Sequence, residues 1–151
     1  MSYHSLLYHI IFRPYKNIPA ITEEYERDLY YYIYMYVKRK EKDCVVYRIG
    51  GMPDHIHMLV SLTPKLAIAD FMRNLKTALY FFMNNNKERF PLFQGWGESY
   101  AVLSYSLSQK EIIINYIKNQ KEHHKRVSFH DELRTLLEEQ GIEFDEKYFL
   151  K

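Results

Sequence analysis

Apolar and polar positions along the chain alternate between a strand-like period of two and a helix-like period of 3.6. Residues Ser2 to Phe12 form a β-rich run in which Tyr3, Leu7 and Ile11 sit among other β-formers, and Pro14 and Pro19 close it. Thr22, Glu23 and Glu24 give a helix start, so a long helix is predicted over Ile21–Lys42, ending in basic residues. Its segment YYYIYMYV is almost wholly apolar or aromatic, which predicts burial on more than one side. Cys44–Ile49 and His55–Leu62 read as an antiparallel pair of strands joined through Gly50, Gly51 and Pro53. A second long helix is predicted over Ile68–Lys87, with Phe71, Leu75, Leu79 and Phe82 at spacings of three and four.

After a loop containing Pro91 and Gly95-Trp96-Gly97, a fourth strand is expected over about Ser99–Ser106. Ser108 with Glu111 has the form of a capping box, opening a third helix that runs to about Arg126. Ser128 starts a short fourth helix that stops near Gly141, and the tail GIEFDEKYFLK is expected to pack on the body. The order β-α-β-β-α-β followed by two helices is that of an α+β, ferredoxin-like (RRM-like) antiparallel sheet with helices on one face. With 151 residues and no composition shift or repeat, the chain reads as one domain over 1–151.

Composition narrows the function only a little. The chain is 47% hydrophobic and has no long charged or Pro/Gly-rich tract, which excludes disorder. No apolar run reaches the roughly 20 residues of a membrane span. The start MSYHSLLYHIIF lacks the marks of a signal peptide, and the single cysteine, Cys44, fits a reducing cytoplasm. A net charge of +2 does not announce a nucleic-acid binder. The 15 Tyr and 9 Phe suit base stacking as well as core or interface filling.

The chemistry lies in two stretches. In Gly51-Met52-Pro53-Asp54-His55-Ile56-His57, side chains alternate, so His55 and His57 project from one face, roughly 7 Å apart, and Ile56 from the other. Asp54 is expected to point away from the His55 side. Two imidazoles placed this way can converge on one divalent metal, or be unrelated histidines on a half-exposed strand. In Asn115-Tyr116-Ile117-Lys118-Asn119-Gln120, Tyr116 and Gln120 share a helix face one turn apart, with His123 and His124 continuing along it. Spacing alone leaves Tyr116 a core or rim aromatic and Gln120 a solvated amide.

Taken together, His-hydrophobe-His after Gly-Gly-x-Pro-Asp, then Tyr-Ile-x-Asn-Gln on a later helix, resembles the single-tyrosine HUH transposases of the insertion-sequence 200/605 group. The likeness also takes in SYHSLLYHIIF, FQGWGESYAVLSYS and GIEFDEKYF. The resemblance implies that His55, His57 and Gln120 bind a divalent metal, Mg²⁺ or Mn²⁺, and that Tyr116 is the nucleophile. It implies a 5′-phosphotyrosine intermediate on single-stranded DNA with hairpin ends, and a homodimer whose active sites are assembled within one subunit or shared, the tyrosine helix of one subunit completing the metal site of the other. A mixed imidazole and amide set with open positions suits Mg²⁺ or Mn²⁺ better than a closed zinc site.

Lys118, Lys121, His123, Lys125 and Arg126 are candidate DNA contacts, as is the basic end Lys38, Arg39, Lys40 and Lys42; both clusters also suit the dipole at a helix end. Trp96 and Tyr100 can stack a base or fill the core. The competing readings are a non-catalytic RRM-like nucleic-acid-binding module, a domesticated relative that no longer mobilises an element, and a metal-dependent hydrolase using water.

Overall fold

A computed structural model describes residues 2–149. Four strands, β1 (Leu7–Pro14), β2 (Val45–Met52), β3 (His55–Ser61) and β4 (Trp96–Tyr105), form one sheet in the order β2-β3-β1-β4. Every neighbouring pair is antiparallel. The helices are α1 (Glu26–Lys40), α2 (Ile68–Asn84), α3 (Lys110–Lys118), α4 (Gln120–His123) and α5 (Phe129–Glu139). The architecture is α+β, in the expected β-α-β-β-α-β order. Among the described residues, no helix is long and apolar enough to cross a membrane.

The expectation of helices on one face is corrected, because both faces are covered. Along β1 and β3, Ile10, Phe12, Ile56, Met58 and Val60 point to one side and pack with Leu29, Ile33 and Val37 of α1 and Phe71, Leu75 and Leu79 of α2. The alternate residues point to the other side. There Ile11, Ala101 and Leu103 meet Phe129, Leu133 and Leu136 of α5, while Leu7 and Leu59 meet Ile113 and Ile117 of α3. A chain with two apolar sheet faces has to cover both, since each exposed face would leave large apolar area in water.

Several boundaries move. The first strand starts at Leu7, because the residues before it have no partner strand. The first helix is shorter: a 3-10 turn at Glu23–Tyr25 precedes α1. It also buries only one stripe, Leu29, Ile33 and Val37, while Tyr31 is 66% exposed. Its aromatic richness therefore widens the contact edges and does not bury a second side. A 3-10 turn at Leu107–Gln109 precedes α3; the Gln109 side chain accepts from the backbone N–H of Ser106, which caps the turn, and Ser108 is not a cap. The helix then bends at Asn119 (φ −96°, ψ 19°), which separates α3 from α4. Ser128 caps α5 as expected, its hydroxyl accepting from the Asp131 N–H.

Candidate active site

The site lies on the sheet face under α3, α4 and α5. His55 and His57 enter it from β3 by strand alternation, and both are buried. Tyr116 and Gln120 come from opposite sides of the Asn119 bend, still one turn apart. Glu132 enters from α5. Its buried carboxylate is the point on which the site converges.

Glu132 Oε1 lies 3.1 Å from His57 Nε2, 3.1 Å from His124 Nε2 and 3.6 Å from His55 Nε2. Oε2 accepts from the Tyr116 hydroxyl and, at 2.8 Å, from the Gln120 amide nitrogen. His123 Nε2 is 3.2 Å from Oε2 but is not aligned to bond it. Because Gln120 gives its N–H to Glu132, its oxygen faces His55 Nε2 at 3.1 Å. The structure thus brings together all four expected residues, Tyr116, His55, His57 and Gln120, and adds Glu132 and His124.

The outer nitrogens of the two strand histidines are also held. His55 Nδ1 lies 2.8 Å from Asp54 Oδ1, and Arg13 donates to the other Asp54 oxygen at 2.9 Å. The expectation that Asp54 points away is overturned: Asp54 sits in the turn before β3, where strand alternation does not apply. Arg13 in turn stacks over Phe129, its guanidinium carbon 4.0 Å from the ring centre. His57 Nδ1 lies 2.7 Å from Nε2 of the fully buried His9.

Electrostatics follow from burial and this crowd of groups. Burial by itself would raise the Glu132 carboxyl, but hydrogen bonds from His124 and His57, the charge of His57 and the Tyr116 hydroxyl hold it well below its ordinary range. Burial, then the charge of Glu132 and the hydrogen bond to it, push the Tyr116 phenol up. Burial lowers His9 and His57, the latter against its bond to Glu132. For His124, burial is outweighed by the Glu132 bond and charge, which raise it.

The donor set fits a divalent cation. One ligand atom each from His55, His57, His124 and Glu132 falls within 4.8 Å of the others. Adjacent ligands around a six-coordinate ion with bonds of about 2.1 Å are roughly 3 Å apart. The separations of Glu132 Oε1 from the nitrogens of His57, His124 and His55, 3.1 to 3.6 Å, and of Gln120 Oε1 from His55 Nε2, 3.1 Å, are of that size. A cavity of about 470 Å³ opens beside the Tyr116 and Glu132 side chains, walled by Tyr105, Ile112, Ile113 and Leu136.

The family model for IS200-like transposases matches residues 2–120. The chain belongs to the IS200-like transposase family. Across 73 residues, 46% of this chain, it is 38% identical to the ISDra2 transposase TnpA of Deinococcus radiodurans, and it spans about half (52%) of that relative's length. It superposes on a Deinococcus radiodurans R1 protein crystallised as a candidate transposase, with a TM-score of 0.61 and 27% identity, covering 79% of this chain and 93% of that one. A REP-associated tyrosine transposase bound to a REP hairpin shares the fold, with a TM-score of 0.59 and 14% identity over 90% of this chain and 85% of that one.

The family match ends at Gln120, so His124 and Glu132 lie beyond it. Sequence reasoning missed Glu132 and His9, yet each left a signal. Phe129, Glu132, Leu133, Leu136 and Leu137 make one helical stripe, and Glu132 is the charge inside it. On β1, Leu7, His9 and Ile11 share a face, and His9 is the polar member.

Among the expected DNA contacts, Lys118, Lys125 and Arg126 are exposed, and Lys125 pairs with Glu122 at 3.0 Å. Lys121 is instead engaged within the fold, donating to Glu26 at 2.7 Å and to the Gly51 carbonyl at 2.6 Å. His123 faces the site. Trp96 packs against Phe12 and Phe93, with ring centres 5.1 and 5.3 Å away.

Proposed function

We propose that this chain is a DNA transposase that cleaves and rejoins single-stranded DNA at insertion-sequence ends, with Tyr116 as nucleophile. The observation that carries the reading is the meeting of the Tyr116 hydroxyl with His55, His57 and Gln120 around one buried carboxylate. His55, His57 and Gln120 would hold the divalent metal, Mg²⁺ or Mn²⁺, with Glu132 and His124 placed to complete the set. When bound, the cation neutralises the non-bridging phosphate oxygens and favours the ionised phenol.

Tyr116 Oη attacks phosphorus. The Oη–P bond forms as the bond from phosphorus to the 3′ oxygen breaks, and the proton ends on the released 3′ hydroxyl. The product is a 5′-phosphotyrosine that a 3′ hydroxyl can later attack, so two transesterifications suffice without ATP. Glu132 accepts from both the Tyr116 hydroxyl and the Gln120 amide. Its part is to aim the phenol and to fix the Gln120 amide. Tyr116 meets His55, His57 and Gln120 within the single chain described; in a homodimer the same tyrosine helix could serve its own site or complete that of the partner subunit.

An RRM-like binder uses an open sheet face with stacking aromatics. Both faces here are covered by helices, which favours the enzyme. The test incubates the protein and its Tyr116→Phe variant with labelled single-stranded DNA carrying hairpin ends and Mg²⁺ or Mn²⁺. A denaturant-resistant adduct mapped to Tyr116, absent from the variant, is expected. Cleavage that survives in Tyr116→Phe would mean water is the nucleophile and would overturn the proposal.

A further inference from the structure

His9 is wholly buried near the middle of β1, on the face it shares with Leu7 and Ile11. A buried imidazole on an apolar face is unfavourable unless its polar atoms are bonded. Among the described residues its Nδ1 finds no partner, and its Nε2 has one, His57 Nδ1 at 2.7 Å. The strand register makes this contact: Ile11 lies opposite His57 and Leu59 opposite His9, so the two histidines are diagonal neighbours on one face.

We propose that His9 is a positioning residue for His57, fixing its ring so that Nε2 is aimed into the metal site. The inference rests on the metal reading above. A histidine that gives its Nε2 lone pair to a cation carries its proton on Nδ1, and that proton needs an acceptor behind it. His9 Nε2 stands where that acceptor is required. The matching role behind His55 is filled by Asp54, which Arg13 holds in place. The two strand histidines therefore have unlike partners, an anion for His55 and an imidazole for His57.

The difference has a consequence. Asp54 as a carboxylate only accepts, whereas an imidazole can accept or donate. His9 can therefore stay bonded to His57 when His57 donates from Nε2 to Glu132, and again when His57 Nε2 is a ligand and Nδ1 is the donor. The ring of His57 keeps one orientation in both states. Tyr116 benefits too, since its ring centre is 5.8 Å from that of His57 and 5.9 Å from that of His9.

The test compares Mn²⁺ affinity, read from the electron paramagnetic resonance signal of free Mn²⁺, in the native protein, His9→Phe and His9→Gln. Phenylalanine keeps the ring without a bond, and glutamine can accept or donate near the position of Nε2. His9→Phe is expected to bind Mn²⁺ about 10–100-fold more weakly, and His9→Gln to recover most of the loss. In the native protein loaded with diamagnetic Mg²⁺, ¹⁵N-histidine NMR should place a solvent-protected proton on His57 Nδ1. A folded His9→Phe with native affinity, or a loaded His57 with no proton on Nδ1, would overturn the proposal. If His9→Phe does not fold, the glutamine variant and the NMR spectrum still decide. Native protein that binds neither ion would instead sink the metal reading, and the proposal with it.

Discussion

The Tyr116 hydroxyl donates to the Glu132 carboxylate across two separate helices, α3 and α5. The same carboxylate receives the Gln120 amide and faces His57 and His124, so it ties the nucleophile and the metal ligands to one anion. Glu132→Ala should lower the stability of the metal-free protein by about 3 kcal/mol, because it strands several buried polar groups at once. Glu132→Gln keeps the shape and should cost less, while still weakening Mn²⁺ binding at least tenfold if the carboxylate is a ligand. Urea denaturation and Mn²⁺ titration check the two effects separately. Equal stability of native protein and Glu132→Ala would remove Glu132 from the centre of this site.

Acid should destabilise the metal-free protein earlier than carboxylate titration alone would. His9 and His57 are held below the ordinary histidine value by burial, so the unfolded chain binds protons that the folded state resists. Stability is then complete above the unfolded value of about 6.5 and is lost as pH falls toward the folded values. His124, raised by Glu132, acts in the opposite sense and softens the slope. The urea midpoint should therefore be lower at pH 5.5 than at pH 8, and His9→Phe should narrow that gap. An unchanged gap in the variant would show that His9 does not contribute.

Gly50 lets β2 approach the tyrosine helix. A Cβ added there would meet the Ile117 carbonyl oxygen at 2.6 Å, a backbone atom that cannot swing aside. Gly50→Ala should cost roughly 1–3 kcal/mol as overpacking. It should also slow adduct formation at Tyr116, next in sequence to Ile117, even at temperatures where the protein is folded. Thermal melting and single-turnover adduct assays measure the two.

Lys118, at the end of α3, and Lys121, on α4, flank the Asn119 bend with different surroundings. Lys118 is exposed, while Lys121 bridges Glu26 and the Gly51 carbonyl. If exposed cations contact phosphate, Lys118→Ala should weaken single-stranded DNA binding and reduce the salt slope by about 1. Lys121→Ala should leave the salt slope alone and lower stability by about 1 kcal/mol. Binding isotherms at several salt concentrations decide, and a reduced slope in Lys121→Ala would place that lysine on the DNA.

Local rules made a good part of the site legible in the sequence. Strand alternation puts His55 and His57 on one face, and helical spacing puts Tyr116 and Gln120 within one turn, wherever those elements end up. The same rules placed four strands and the main helices to within a few residues, since each is defined by its own hydrophobic period. What tertiary structure decided is which groups meet. His9 reaches His57 only through the β1–β3 register, and Glu132 reaches Tyr116 only because α5 folds back over the second sheet face. Asp54 turns to His55 because a turn breaks the alternation. The His9–His57 and Tyr116–Glu132 contacts join separate elements of the chain, and no period along a sequence encodes the distance between two elements packed against the same sheet.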